Sequence, residues 1–286
     1  MTRTKLKDRQ LPNYSKNEEL FNMVSHIVGG AVGIAGMVLC IIRSVLNHNG
    51  FGLAGSIVFG VSMILLYTVS SVYHGLHASM GKRVMQVVDH CTIYVLISVA
   101  IGFSVGLVCG ILLSRVPRWL SGIIIPVLSI FQTIPGLVFI GVLFIFWGDI
   151  YPTVIVALSV YAMFPVLKNT YTGILGVEER YLEAARGCGM SPFQTLIRVE
   201  LPLAMPIIIA GLRMAAIYTV SWAVLASMIG LGGLGDFVYR GTSSNNNTLI
   251  LLGAIPAAVL AILFGVLIDL LQKKVTPRGL WKEAGR

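Results

Sequence analysis

Apolar residues fill this chain in seven long blocks, set apart by short polar, glycine-rich or proline-rich breaks. The blocks lie near residues 22–42, 51–72, 90–113, 119–147, 150–168, 203–229 and 248–271. A helix of roughly 20 apolar residues crosses a bilayer core of about 30 Å. The pattern therefore predicts transmembrane helices, of which 22–42 is the least secure, because glycine weakens a helix. A membrane β-barrel needs segments of about 10 alternating residues, and these runs are too long and too uniformly apolar for that. The first 20 residues are polar and basic, without the short apolar core and small-residue site of a cleavable signal.

One polar stretch between the blocks carries its own structural signals. Glu178 to Arg186 consists of good helix formers. Gly187 and Gly189 can end that helix, since glycine accepts the left-handed conformation past a C-cap. A second helix starts at once: Ser191 suits the N-cap, Pro192 the first turn, and Gln194 completes a capping box. The expected product is a compact knob of two short helices between two membrane spans. An ordinary amphipathic loop is the competing reading.

Composition narrows the class. The 286 residues are 56% hydrophobic and 12% charged, with mean hydropathy +0.85. A soluble domain cannot hide that much apolar surface. The net charge of +9 raises the question of nucleic acid. The basic residues, however, sit in tails and short loops, as expected of a membrane protein, and no nucleic-acid partner is expected. Cys40, Cys91, Cys109 and Cys188 show no CxxC spacing, so neither a disulfide framework nor a zinc cluster follows.

The segment EAARGCGMSPFQTLIRVELP, Glu183 to Pro202, has a specific order: Glu-Ala-Ala, three residues, Gly189, nine residues, Val199, one residue, Leu201-Pro202. This resembles the EAA loop of importer-type ABC permeases, which docks into the ATPase subunit. The wider resemblance, from about Cys91 to Leu280, is to permeases of osmoprotectant importers of the glycine betaine, carnitine and choline type. It is carried by FQTIPGLVFIGVLF (131–144), VALSVYAMFPVLKNTYTGILGV (156–177), AGLRMAAIYTVSWAVLASMIGLGGLGD (210–236) and KKVTPRGL (273–280). The resemblance implies an all-α polytopic membrane protein: a five-helix type I ABC importer permease core, preceded by about two extra transmembrane helices. It places the chain in the cell membrane and makes Glu183, Ala184, Ala185, Gly189, Ser191, Leu201 and Pro202 the ATPase-coupling residues. The implied partners are a cytoplasmic ABC ATPase, a second permease copy or homologue, an external substrate-binding protein and the lipid bilayer. No Walker motif occurs, and GLGGLGD (230–236) lacks the Lys-Ser/Thr of a phosphate loop. The chain is therefore not expected to be an enzyme or to carry a cofactor; ATP and Mg belong to the partner. Substrate selection is expected mostly in the binding protein, where aromatic cages hold quaternary amines; no such cage is legible in this chain.

The first part of the chain has a different character. EELFNMVSHIVGGAVG (18–33), SSVYHGL (70–76) and VDHCTIYVLI (88–97) resemble the start of a hemolysin III protein, of the progestin/adipoQ receptor superfamily. That resemblance implies a metal site with Ser70, His74 and Asp89 and a late HxxxH pair. No histidine follows residue 90, so no metal is expected to bind. The chain reads as a fusion, with an incomplete hemolysin III-like segment at 1–90 and a permease domain at 91–286. The runner-up function is a hemolysin III-like metal-dependent hydrolase or pore former, and a non-functional hybrid is the third reading.

Three further patterns bear on mechanism. Gly102, Gly106 and Gly110 bare one helix face, so that a neighbouring helix, or a partner permease, can approach closely. Gln132, Thr133 and Pro135 interrupt one apolar run, and Pro165, Asn169 and Tyr171 another; such breaks persist where they line a cavity or pack on protein. These six are the candidates for the translocation path. Finally, a cytoplasmic knob puts the basic N-terminal tail (Arg3, Lys5, Lys7, Arg9, Lys16) outside, against the usual charge preference.

Overall fold

The computed structural model describes residues 11–47, 50–226 and 233–275, and among these every regular element is helical. Helix α1 spans Lys16–Leu46 and α2 Gly50–Gly75. Ser15 caps α1 through a reciprocal capping box: its hydroxyl accepts from the Glu18 N–H at 3.3 Å, and its own N–H donates to Glu18 at 2.6 Å. The glycine-rich run does not break α1. Tyr67 and Met63 of α2 lie against Gly29 and Gly33, so the bare backbone serves helix packing. The two helices form an antiparallel hairpin, and little of α1 is buried.

Helix α3 (Met80–Arg115) continues without a break through residues 90–97, where the sequence changes character. Its glycine stripe meets α6 (Ile150–Leu175), so the close neighbour is a helix of the same chain. A Cβ on Gly102, Gly106 or Gly110 would lie 2.8, 2.5 or 2.8 Å from the carbonyl oxygens of Ser159, Met163 and Leu167 respectively. The numbers rise together, so α3 and α6 run parallel. Ala157, Leu158, Ala162, Val166 and Leu167 are wholly enclosed, which makes α6 the central helix.

Between them the chain folds α4 (Arg118–Thr133) and α5 (Gly136–Trp147), inclined to each other by 91°. The apolar block 119–147 is therefore not one straight span; Ile134 and Pro135 turn the chain. Pro165, inside the predicted block 150–168, does not end α6, which runs on through it.

Helix α7 covers Glu179–Gly187 and α8 Pro192–Thr195; a π-helical turn at Leu196–Glu200 leads into α9 (Leu201–Ala226). Helices α10 (Leu234–Ser243) and α11 (Asn247–Val275) follow. Gly211 of α9 packs on Pro165 and Asn169, and Gly173 of α6 on Ala204, so α9 is antiparallel to α6. Arg213 pairs with Asp269 at 3.2 Å, and Gln272 donates to the Pro206 carbonyl at 3.3 Å, so α11 is antiparallel to α9.

These directions settle sidedness within the molecule. The end of α3, the end of α6 and the start of α9 share one face with α7 and α8. The starts of α1 and α3 share the opposite face, joined by the Lys82–Glu19 ion pair at 2.6 Å. Among the described residues five helices are long and apolar enough to cross a membrane, and the bent α4–α5 pair makes a sixth. The block 51–72 falls on α2, several of whose side chains lie outside the described set.

Candidate functional site

The knob forms as its local sequence dictates. Gly189, at φ +72°, takes the left-handed position after α7. Its N–H donates to the Arg186 carbonyl at 2.9 Å, and the Met190 N–H to the Ala185 carbonyl at 3.1 Å. Together these bonds make a Schellman ending, which satisfies carbonyls the helix leaves open. Ser191 then opens α8: its hydroxyl accepts from the Gln194 N–H at 3.3 Å, and Gln194 accepts from the Ser191 N–H at 2.9 Å. Arg186 pairs with Glu179, and Arg180 with Glu178 at 2.6 Å. The Glu178 carboxylate raises the Arg180 pKa above its already high ordinary value, so that charge is permanent.

The sequence candidates for coupling divide by exposure. Glu183, Ala184, Gly189 and Ser191 face outward, Ala185 and Leu201 are buried, and Pro202 is the half-buried second residue of α9. Two features were not read from the sequence. Phe193 projects from α8 with 69% of its surface exposed, and Glu200, buried in the π turn, pairs with Arg115 at the end of α3. The Phe193 exposure had a readable signal, a large apolar residue directly after a capped helix start. The Arg115 pairing had none, because the partners are 85 residues apart.

The six path candidates do not gather in one place. Gln132 lines a cavity of about 390 Å3 with Tyr161, Tyr218, Ser221, Trp222 and Leu225. Thr133 ends α4 and Pro135 precedes α5 at the turn. Pro165 and Asn169 lie where α6 meets α9, and Tyr171 bonds Ser121 of α4 at 2.8 Å. At the turn the Ile134 carbonyl accepts from the Tyr161 hydroxyl at 2.8 Å. In a membrane a freed carbonyl needs such a partner.

At the opposite face His74 meets Glu19 at 2.7 Å, and the buried Lys82 ammonium binds both Glu19 and the Leu76 carbonyl. Ser70 is buried in α2, and Asp89 lies in α3. A glutamate, itself held by Lys82, thus engages the histidine that the motif would offer to a metal. Among the described residues no group of three His, Cys, Asp or Glu could hold a metal ion. Residues 230–232 of GLGGLGD lie outside the described residues, while Leu234, Gly235 and Asp236 open α10; KKVTPRGL lies outside beyond residue 275.

Residues 102–279 match the family model "Binding-protein-dependent transport system inner membrane component". The chain belongs to this family. Similar members include a carnitine transport permease protein of Listeria monocytogenes, 39% identical over 64% of this chain and 84% of that protein. The choline transport system permease protein of Bacillus subtilis (strain 168) is 40% identical over 70% of this chain and 91% of that protein. The MetNI methionine ABC transporter, solved in inward-facing conformations, matches with TM-score 0.62 at 23% identity, over 71% of this chain and all of that chain. This inner membrane component is thus a multi-pass permease with the ABC importer fold, a transport subunit rather than a catalyst. Helices α1 and α2 precede the matched region, which begins inside α3.

Proposed function

We propose that this permease imports osmoprotectant quaternary amines, namely glycine betaine, carnitine or choline, driven by a separate ATPase and fed by an external binding protein. The observation that carries the reading is the 39–40% identity to permeases named for carnitine and choline transport, over most of their length. The knob of α7, α8 and the π turn supports the mechanism. It projects from the face where α3, α6 and α9 meet, and it offers Glu183, Ala184, Gly189, Ser191 and Phe193 to a partner surface. Closure of two ATPases around ATP and Mg would draw two such knobs together, one from each permease copy or homologue, and reopen the path between them.

The test is ATP-driven uptake of labelled choline, glycine betaine and carnitine by vesicles holding the permease, its ATPase and its binding protein. Gly189→Asp, which strains the left-handed position, and Glu183→Arg should each abolish uptake and weaken ATPase association while the subunit stays in the membrane. Normal uptake by both variants would sink the coupling role.

We further propose that residues 1–90 are an incomplete hemolysin III-like membrane segment joined to the permease domain at 91–286, with α2 packed into the same core as α3, α9 and α11. Support comes from the family match beginning only at residue 102 and from the slight burial of α1. A chain beginning at Asp89 should assemble with its partners and transport. Failure to assemble, where the full chain succeeds, would show that the hairpin serves the permease.

A further inference from the structure

We propose that the cavity beside the α4–α5 turn is a transient binding site for a quaternary ammonium head inside the permease itself. This rests on the substrate class proposed above, and it adds a selecting element to a subunit whose sequence showed no aromatic cage. The six lining residues are Gln132, Tyr161, Tyr218, Ser221, Trp222 and Leu225. Three of them are aromatic. None carries a charge.

The rings are placed by the fold. Tyr161 stacks on Trp222 with centroids 4.7 Å apart and planes 18° from parallel, and Phe139 braces Tyr161 edge-on at 5.6 Å. The Tyr161 hydroxyl is spent on the Ile134 carbonyl, so that ring cannot swing away. Tyr218 sits one turn before Trp222 on α9, on the same face, and is 41% exposed. Its ring is open to a visitor while the stacked pair forms a stiff wall. A cation over an aromatic face is attracted by the ring quadrupole, most strongly away from water. A methylated ammonium has no N–H to donate, so ring faces suit it where a lysine head would lose hydrogen bonds. Gln132 brings an amide that can donate to a carboxylate or hydroxyl at the substrate's other end, while the Ser221 hydroxyl, which donates to the Ile217 carbonyl, can accept from a substrate hydroxyl. The volume of about 390 Å3 falls in the range of small-ligand pockets. Holding the head without a carboxylate keeps the site weak, and a transport path needs a site that also releases.

The permease–ATPase complex without binding protein is titrated with labelled choline, and 3,3-dimethylbutan-1-ol, the neutral isostere, serves as competitor. Uptake by the complete system is measured in parallel. Choline should bind saturably and the neutral isostere should fail to compete. Tyr218→Leu should weaken binding about tenfold, between the scales of an exposed and a desolvated cation–π contact, whereas Tyr218→Phe, which keeps the ring, should stay close to wild type. Equal competition by the isostere, or unchanged choline binding in both Tyr218→Leu and Trp222→Leu, overturns the site, even with wild-type uptake intact. Choline binding that obeys these rules without any uptake of quaternary amines would overturn the importer reading instead and leave the site standing.

Discussion

Gly136 shows how much one missing side chain can decide. It is the first residue of α5, and a Cβ there would lie 1.8 Å from the Trp222 indole. No rotamer adjustment absorbs that overlap while Trp222 stays on Tyr161. Overpacking of this kind typically costs about 1–3 kcal/mol. Gly136→Ala should therefore shift Trp222, lower the thermal unfolding midpoint by a few degrees, and reduce uptake several-fold. Uptake kinetics and thermal unfolding in detergent check this together. Residue-scale chemistry was partly legible. Ser191, Gln194 and Gly189 could be assigned because all their partners lie within a few positions. The surroundings of His74 could not, since Glu19 reaches it from α1 and is itself held by Lys82 of α3.

Among the elements, α3 and the π turn are joined by an ion pair, beside the apolar cluster that Ile111 and Leu196 share. Glu200 is buried and its partner is Arg115, whose own side chain is half exposed. Removing Arg115 leaves the buried Glu200 carboxylate without compensation, at a cost of about 3–5 kcal/mol for a fully buried pair, and less here because the pair is open to solvent on the Arg115 side. Arg115→Ala should loosen the knob from α3, leave α3–α6 packing intact, and uncouple ATP hydrolysis from uptake. The check is the ratio of substrate transported to ATP hydrolysed. At this scale the apolar blocks located the long helices, and the interruption at Gln132, Thr133 and Pro135 marked a real turn. Its 91° angle was not readable, because packing of α5 on Trp222 and Tyr161 sets it. Pro165 lies inside the block 150–168, and α6 runs through it as the apolar pattern predicts, with the Pro165 carbonyl against Gly211 of α9.

Across the whole molecule, contact order alone fixes which ends lie together. Lys16 and Lys82 lie on the face opposite the knob, so a cytoplasmic knob sends the basic start of the chain outward. That placement opposes the positive-inside preference. Membrane-impermeant thiol reagents applied to intact cells test it, with Ser15→Cys or Ser191→Cys in a cysteine-free background. Ser191→Cys should resist labelling, and Ser15→Cys should label in only part of the population, since its segment inserts against its charge preference. External labelling at position 191 would mean that the protein inserts inverted.

The helical path from Pro192 through the π turn to Ala226 has no interruption, so the knob and the far end of α9 belong to one rod. That rod is clamped along its length, by α6 at Ala204 and Gly211 and by α11 at Pro206 and Arg213. A pull on the knob by an ATPase would therefore reach Trp222 only by carrying α6 and α11 along, and the Trp222–Tyr161 stack would travel as one piece.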